Sequence, residues 1–148
     1  MRLCGIAIVG VALALSNSGT AWAGPKLITD EEAGRPPPTG AVVADMRGVL
    51  RGPKLDLISP DTAMHSPLHL QIKFESFGGT KIDLASIKAT YLRTPNVDLT
   101  DRIKQFSTSE GIDMPDAEVP AGEHMVRVEI KDTAGHPASA SYVLKVLP

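Results

Sequence analysis

The sequence predicts an all-β chain, a single antiparallel β-sandwich of about seven short strands that begins near Leu55. Three observations predict it. Apolar residues alternate with polar ones in 68–75 and again in 124–146. Turn residues punctuate the chain at intervals of about 8–12 residues. The apolar positions of 124–146 follow a period of two and not the ~3.6 of a helix.

The first 23 residues stand apart from that pattern. Arg2 is the only charge before Lys26, and an apolar run, Leu3 to Leu15, follows it. Next come the polar stretch Ser16 to Thr20 and the small-x-small tripeptide Ala21-Trp22-Ala23. A basic tip, an apolar middle and a small-residue site form the layout of a secretory signal peptide. The run is shorter than the ~20 apolar residues of a spanning helix. Residues 1–23 are therefore expected to be a leader cleaved after Ala23, placing the mature chain in the periplasm or outside the cell.

Cleavage changes the composition. Cys4 and Trp22, the only Cys and Trp, both leave. The mature chain then has no disulfide, thiol chemistry or thiolate metal site, and its core must hold the fold unaided. Loss of Arg2 leaves 14 of the 15 basic residues against 17 acidic ones, a net charge of −3. An acidic chain without a basic face argues against nucleic acid as a partner. No second apolar stretch is long enough to anchor the mature chain in a membrane.

Residues 24–54 read as a flexible Pro/Gly-rich arm, mobile or loosely docked on the domain. Thr29 and Glu32 have capping-box spacing, but Gly34 and Pro36-Pro37-Pro38 end any helix after one or two turns. The prolines favour extended backbone. A short strand around Val42 is the alternative for part of this arm. Residues 55–148 form the expected domain. Leu55 and Leu57 flank Asp56 before Pro60 breaks the strand. Leu68, Leu70, Ile72 and Phe74 alternate with His69, Gln71, Lys73 and Glu75, one face apolar and the other wet. Phe77 to Thr80 is a turn, Ile82 to Ser86 a tight bend, and Ile87 to Tyr91 a strand. Val97 to Phe106 stays open between a helical turn starting at Asp98–Asp101 and a short strand at Ile103–Phe106. Ile112 to Val119 is a strand interrupted by Pro115. The clearest pair comes last: His124, Val126, Val128 and Ile130, the loop Asp132–Gly135, then Ala138, Ala140, Tyr142, Leu144 and Val146.

Two segments carry a resemblance to a family. Val119-Pro120-Ala121-Gly122-Glu123-His124 and Val126 to Gly135 resemble the closing hairpin of bacterial immunoglobulin-like (Ig-like) domains, with its proline-glycine turn, alternating valines and Asp-x-x-Gly loop. Ile82-Asp83-Leu84-Ala85-Ser86-Ile87-Lys88 is similar to the run that leads into an early strand of the same group. The resemblance spans roughly 55–148 and implies the sandwich, but no activity, because such domains serve as spacers, adhesion modules and accessory domains. The whole chain also resembles small exported proteobacterial proteins. The place of His124 resembles the aromatic corner of Ig folds, which implies a structural role for it.

Candidate chemistry is sparse. His65 and His69 are four apart, which on one strand puts both on the solvent face, with Met64 adjacent. Imidazole and thioether suit copper, although Pro67 interrupts the pair. Asp98, Asp101, Asp113, Asp116 and Asp132 are loop oxygens of the kind calcium takes, without EF-hand spacing. No G-x-S-x-G or H-E-x-x-H motif is present. A hydrolase would need a pocket with Ser or Asp beside a His. Arg93, Asp101, Arg102 and Lys104 read as an ordinary solvated face. The expectation is a non-catalytic module without a cofactor that binds or supports an envelope protein. A copper or calcium carrier, with His65 and His69 as metal ligands, is the alternative.

Overall fold

The computed structural model describes residues 24–40 and 52–148. The leader 1–23 and the strand considered around Val42 lie outside the described residues. Among the described residues, no helix is long and apolar enough to cross a membrane.

Two sheets pack face to face. The first contains β1 (Lys54–Ser59), β3 (Leu68–Glu75), β7 (Gly111–Ala117) and β6 (Ser107–Thr108), in that order. The second runs β2 (Met64–His65), β9 (Pro137–Leu147), β8 (Gly122–Lys131), β4 (Lys88–Tyr91), β5 (Val97–Asp98). Among the described residues, every strand pairing is antiparallel except β2 with β9. The chain thus enters the first sheet as β1, crosses as β2 to the far edge of β9, and returns as β3. Among the described residues, three of the nine strands have only two residues. Segments that short carry no alternation to read, which is why the sequence suggests fewer strands.

The alternation seen in the sequence is the burial pattern of the fold. Leu68, Leu70, Ile72 and Phe74 of β3 face Val126, Val128 and Ile130 of β8 and Tyr142, Leu144 and Val146 of β9 in one core. Strands β8 and β9 pair without interruption from Gly122↔Val146 to Lys131↔Pro137. Gly135 closes their loop at φ 87°, a left-handed conformation that glycine adopts without strain, and its N–H meets the Asp132 carbonyl at 2.9 Å. Pro115 falls where β7 bulges. The register with β3 shifts between Leu68↔Ala117 and Leu70↔Met114, and β6 no longer flanks the strand there. A residue without an N–H costs no ladder bond at such a place. Gly111 has a different reason: a Cβ there would run into the Ile72 carbonyl on β3.

The open stretch 97–106 resolves into β5 and a short helix, α2 (Thr100–Lys104). The Asp98 carboxylate accepts the Thr100 N–H at 2.8 Å, starting the turn, and Ile103 is buried from the helix. The short-strand alternative at Ile103–Phe106 is not formed.

Residues 24–38 of the expected arm are docked on the domain. Leu27 and Ile28 are fully buried, and both N–H groups donate to the Glu118 carbonyl at 3.0 and 3.3 Å. The Glu118 N–H donates in turn to Pro25 O at 3.1 Å. Thr29 and Glu32 make the capping box that their spacing suggests, opening α1 (Asp30–Ala33). Beyond it, Pro36 and Pro37 carbonyls accept the Thr94 N–H and hydroxyl at 3.0 and 3.2 Å. Proline content alone implied looseness. What holds the segment is a buried apolar pair and distant partners at Thr94, Arg102 and Glu118.

Candidate functional site

The most buried polar cluster lies at the end of the sandwich where β4 finishes and β8 begins. Tyr91 pairs in register with Val126, so His124, two residues earlier on β8, is its diagonal neighbour on the inner face. Tyr91 is fully buried and His124 is 1% exposed. The Tyr91 hydroxyl lies 2.9 Å from His124 Nδ1, and His124 Nε2 lies 2.8 Å from the Pro120 carbonyl. Arg93 completes the row, its Nε donating to the Tyr91 oxygen at 2.6 Å and its guanidinium 5.2 Å from the ring centroid.

The partners fix the protons. A carbonyl only accepts, so His124 carries its hydrogen on Nε2. A guanidinium only donates, so the Tyr91 oxygen accepts from Arg93 and donates to Nδ1. Burial lowers the His124 pKa below its ordinary value; the Pro120 hydrogen bond opposes this and the Arg93 charge adds to it. The imidazole is therefore neutral, with both nitrogens engaged. In this state it has no lone pair left for a metal ion or for taking a substrate proton. Its work is to tie the Pro120 turn to β4.

Two further polar centres also join segments remote in sequence. At the opposite end, the buried Asp132 accepts from the His136 N–H at 2.8 Å and from Thr80 Oγ1 at 3.3 Å, with His136 Nδ1 at 2.9 Å. Burial pushes this carboxyl up, but the His136 and Thr80 hydrogen bonds together bring it below the usual carboxylate value. The cluster ties the β8–β9 loop to the 77–83 turn, where the Thr133 N–H also donates to Lys81 O at 2.8 Å. On the α2 side, Glu32 receives both Arg102 guanidinium nitrogens at 2.7 Å each, and Arg102 also donates to Leu27 O at 2.9 Å. The Arg102 hydrogen bonds hold the Glu32 carboxyl down at about 2, against the opposing effect of burial. Arg102 is thus a clamp on the N-terminal segment and not part of a plain solvated face.

The sequence candidates for metal binding are not on one strand. His65 ends β2 in the second sheet and His69 lies on β3 in the first. Pro67 falls at the crossing between them. His69 instead bonds Asp113 on the neighbouring β7 at 2.6 Å on the exposed face. The aspartates considered for calcium are dispersed over β5, α2, β7 and the β8–β9 loop. Among the described residues, no group of three or more His, Cys, Asp or Glu side chains is gathered closely enough to hold a metal ion.

Sequence reasoning placed His124 but missed Tyr91 and Arg93 as its partners. Tyr91-Leu92-Arg93 has the i, i+2 spacing that puts two side chains on one side of a strand. That was the available signal. Between the sheets, an apolar gap of about 10 Å³ lined by Leu70, Val126 and Tyr142 among others is the size of at most one water. Among the described residues the buried Tyr142 hydroxyl has no hydrogen-bond partner, and burial, with the Asp56 charge, raises its pKa.

Comparison with known proteins gives no match: no family model, curated protein or solved structure is similar enough to lend the chain a family or an activity.

Proposed function

We propose that the chain is an exported, non-catalytic Ig-like module that binds or supports another protein of the bacterial cell envelope. The observation that carries this reading is the strand order. β1-β3-β7-β6 corresponds to the A-B-E-D sheet of an immunoglobulin sandwich, and β9-β8-β4 to G-F-C. The passage of the first strand from β3 in one sheet to a parallel pairing with β9 in the other fits the same scheme. His124, near the start of β8, bonds back to the backbone four residues upstream, as the corner tyrosine of such domains does.

The non-catalytic part is supported by how the buried polar groups are used. His124, Asp132 and Glu32 each satisfy one segment with another. Export is supported by the basic tip, apolar run and small-residue site of residues 1–23.

The test is recovery of the protein from its own envelope after crosslinking in cells, with N-terminal mass spectrometry and metal analysis on the same sample. A reproducible envelope partner, a chain starting at Gly24 and no stoichiometric metal are expected. Repeated recovery of the protein alone would remove the binding role. Met1 or Arg2 on the exported chain would remove the cleavage. Stoichiometric copper or calcium would favour the carrier alternative.

A further inference from the structure

Sheet edges are where chains join, and most of this protein's edges are guarded. β2, β5 and β6 are two residues long. β1 begins with Lys54, shifts register between Leu57 and Ser59, and is followed by Pro60. Short strands, lysines, irregularities and prolines all discourage added strands. β9 differs. It pairs along its length with β8, but on its other side β2 covers only Val146 and Leu147. Among the described residues, Pro137–Lys145 has no hydrogen-bonded strand on that side: nine residues of regular backbone, with no bulge in its ladder to β8.

We infer that this edge pairs with the same edge of a second copy, antiparallel about a two-fold axis at Ser141. The open stretch is centred on Ser141, so Pro137 falls opposite Lys145 of the other copy and pairing ends where β2 begins. The side chains complement each other under that operation. Small residues fill the first half, Ala138, Ser139 and Ala140, and larger ones the second, Tyr142, Val143 and Leu144. On the inner face Ala140 then meets Tyr142 and Ala138 meets Leu144. On the outer face Ser139 meets Val143, which is 44% exposed in the single chain. Lys145 is the only charge in the stretch and is already held by Glu123 at 3.2 Å. The two copies of Lys145 would be about 27 Å apart at ~3.4 Å per residue, so no like charges face each other. Self-pairing of this kind is isologous and closed, which makes dimers and not fibres. The contact is small, and the association is accordingly weak and concentration-dependent. This inference needs only the sandwich and its edge, so it stands or falls apart from the envelope-partner reading.

The test uses the protein expressed from the full sequence with Cys4→Ser, so that position 141 can be given the sole thiol whether or not residues 1–23 are removed. Residues directly opposite across an antiparallel pair have Cα atoms about 4.5–5.5 Å apart, within reach of a disulfide. Ser141→Cys should crosslink to a dimer under mild oxidation, well above a Lys104→Cys control on exposed α2. Sedimentation of the unmodified chain from about 10 μM to about 1 mM should show mass rising toward two copies, as a weak complex requires. Ser141→Glu places like charges on the axis, while within its own chain the introduced carboxylate lies beside Arg127, the register partner of Ser141 on β8. It should weaken association at least about tenfold without lowering the monomer's melting temperature. Monomer at the highest concentration, crosslinking no greater than the control, or a dimer unaffected by Ser141→Glu would each overturn the inference.

Discussion

Glu32→Gln is the sharpest probe of how the N-terminal segment is held. Glutamine retains the length and polarity of Glu32 and serves in a capping box, so the change removes the charge and one of the two oxygens that accept from Arg102. The carboxyl is held at about 2 against an ordinary 4.5. Taken whole, that difference is worth about 3 kcal/mol at ~1.4 kcal/mol per unit. It is a ceiling, because the Arg102 side chain is 34% exposed and water screens part of the attraction. The expected loss near neutral pH is therefore roughly 1–2 kcal/mol, or about 3–10 °C in melting temperature for a domain of this size. The sign with pH follows from the lowered pKa. The folded state holds the ionised form more tightly than the unfolded chain, so the stabilisation is complete above about 4.5 and is lost as pH falls through about 2. Thermal melts of both forms at pH 7, 4 and 2 should therefore converge toward the acid end. Hydrogen exchange should show the Leu27 and Ile28 amides, bonded to Glu118, opening sooner in the variant. Equal melts and equal exchange at pH 7, or a gap that persists undiminished at pH 2, would refute the assignment of this pair as the clamp.

Two further outcomes follow from the same geometry. His124→Ala empties a buried site and strands the Tyr91 hydroxyl, and should cost about 2–4 kcal/mol in chemical denaturation. Because the folded His124 pKa is lowered, the wild-type stability it contributes is present above about 6.5 and lost as pH falls below it; the variant should lack this component, and ¹⁵N shifts of the wild-type ring should report the proton on Nε2 between pH 7 and 8. Gly111→Ala forces β7 away from the Ile72 carbonyl and should destabilise by about 1–3 kcal/mol, whereas an unchanged denaturation midpoint would mean that the strands do not approach as closely as described.

The legible parts of this fold are those whose information is local. Leu68 to Glu75 and His124 to Val146 announce their inner faces because side chains alternate across any strand, whatever it packs against. Thr29 and Glu32 announce a cap because the partners are three residues apart. Illegible were the features whose two halves lie far apart along the chain. Nothing near Arg102 indicates Glu32, 70 residues earlier. Pro67 signals a break between His65 and His69, but nothing near them shows that the chain changes sheets there, which separates a pair that simple spacing would place together.

Taken alone, the sequence determined the all-β character, the faces of the long strands, the closing hairpin and the capping box, because periodicity and short-range hydrogen bonding act within a few residues. Only the tertiary structure decided which strands share a sheet, that residues 24–38 are seated on the domain, and that Tyr91, Arg93 and His124 form one buried row. Those outcomes depend on contacts between distant segments, whose free energy exists only once both surfaces are built.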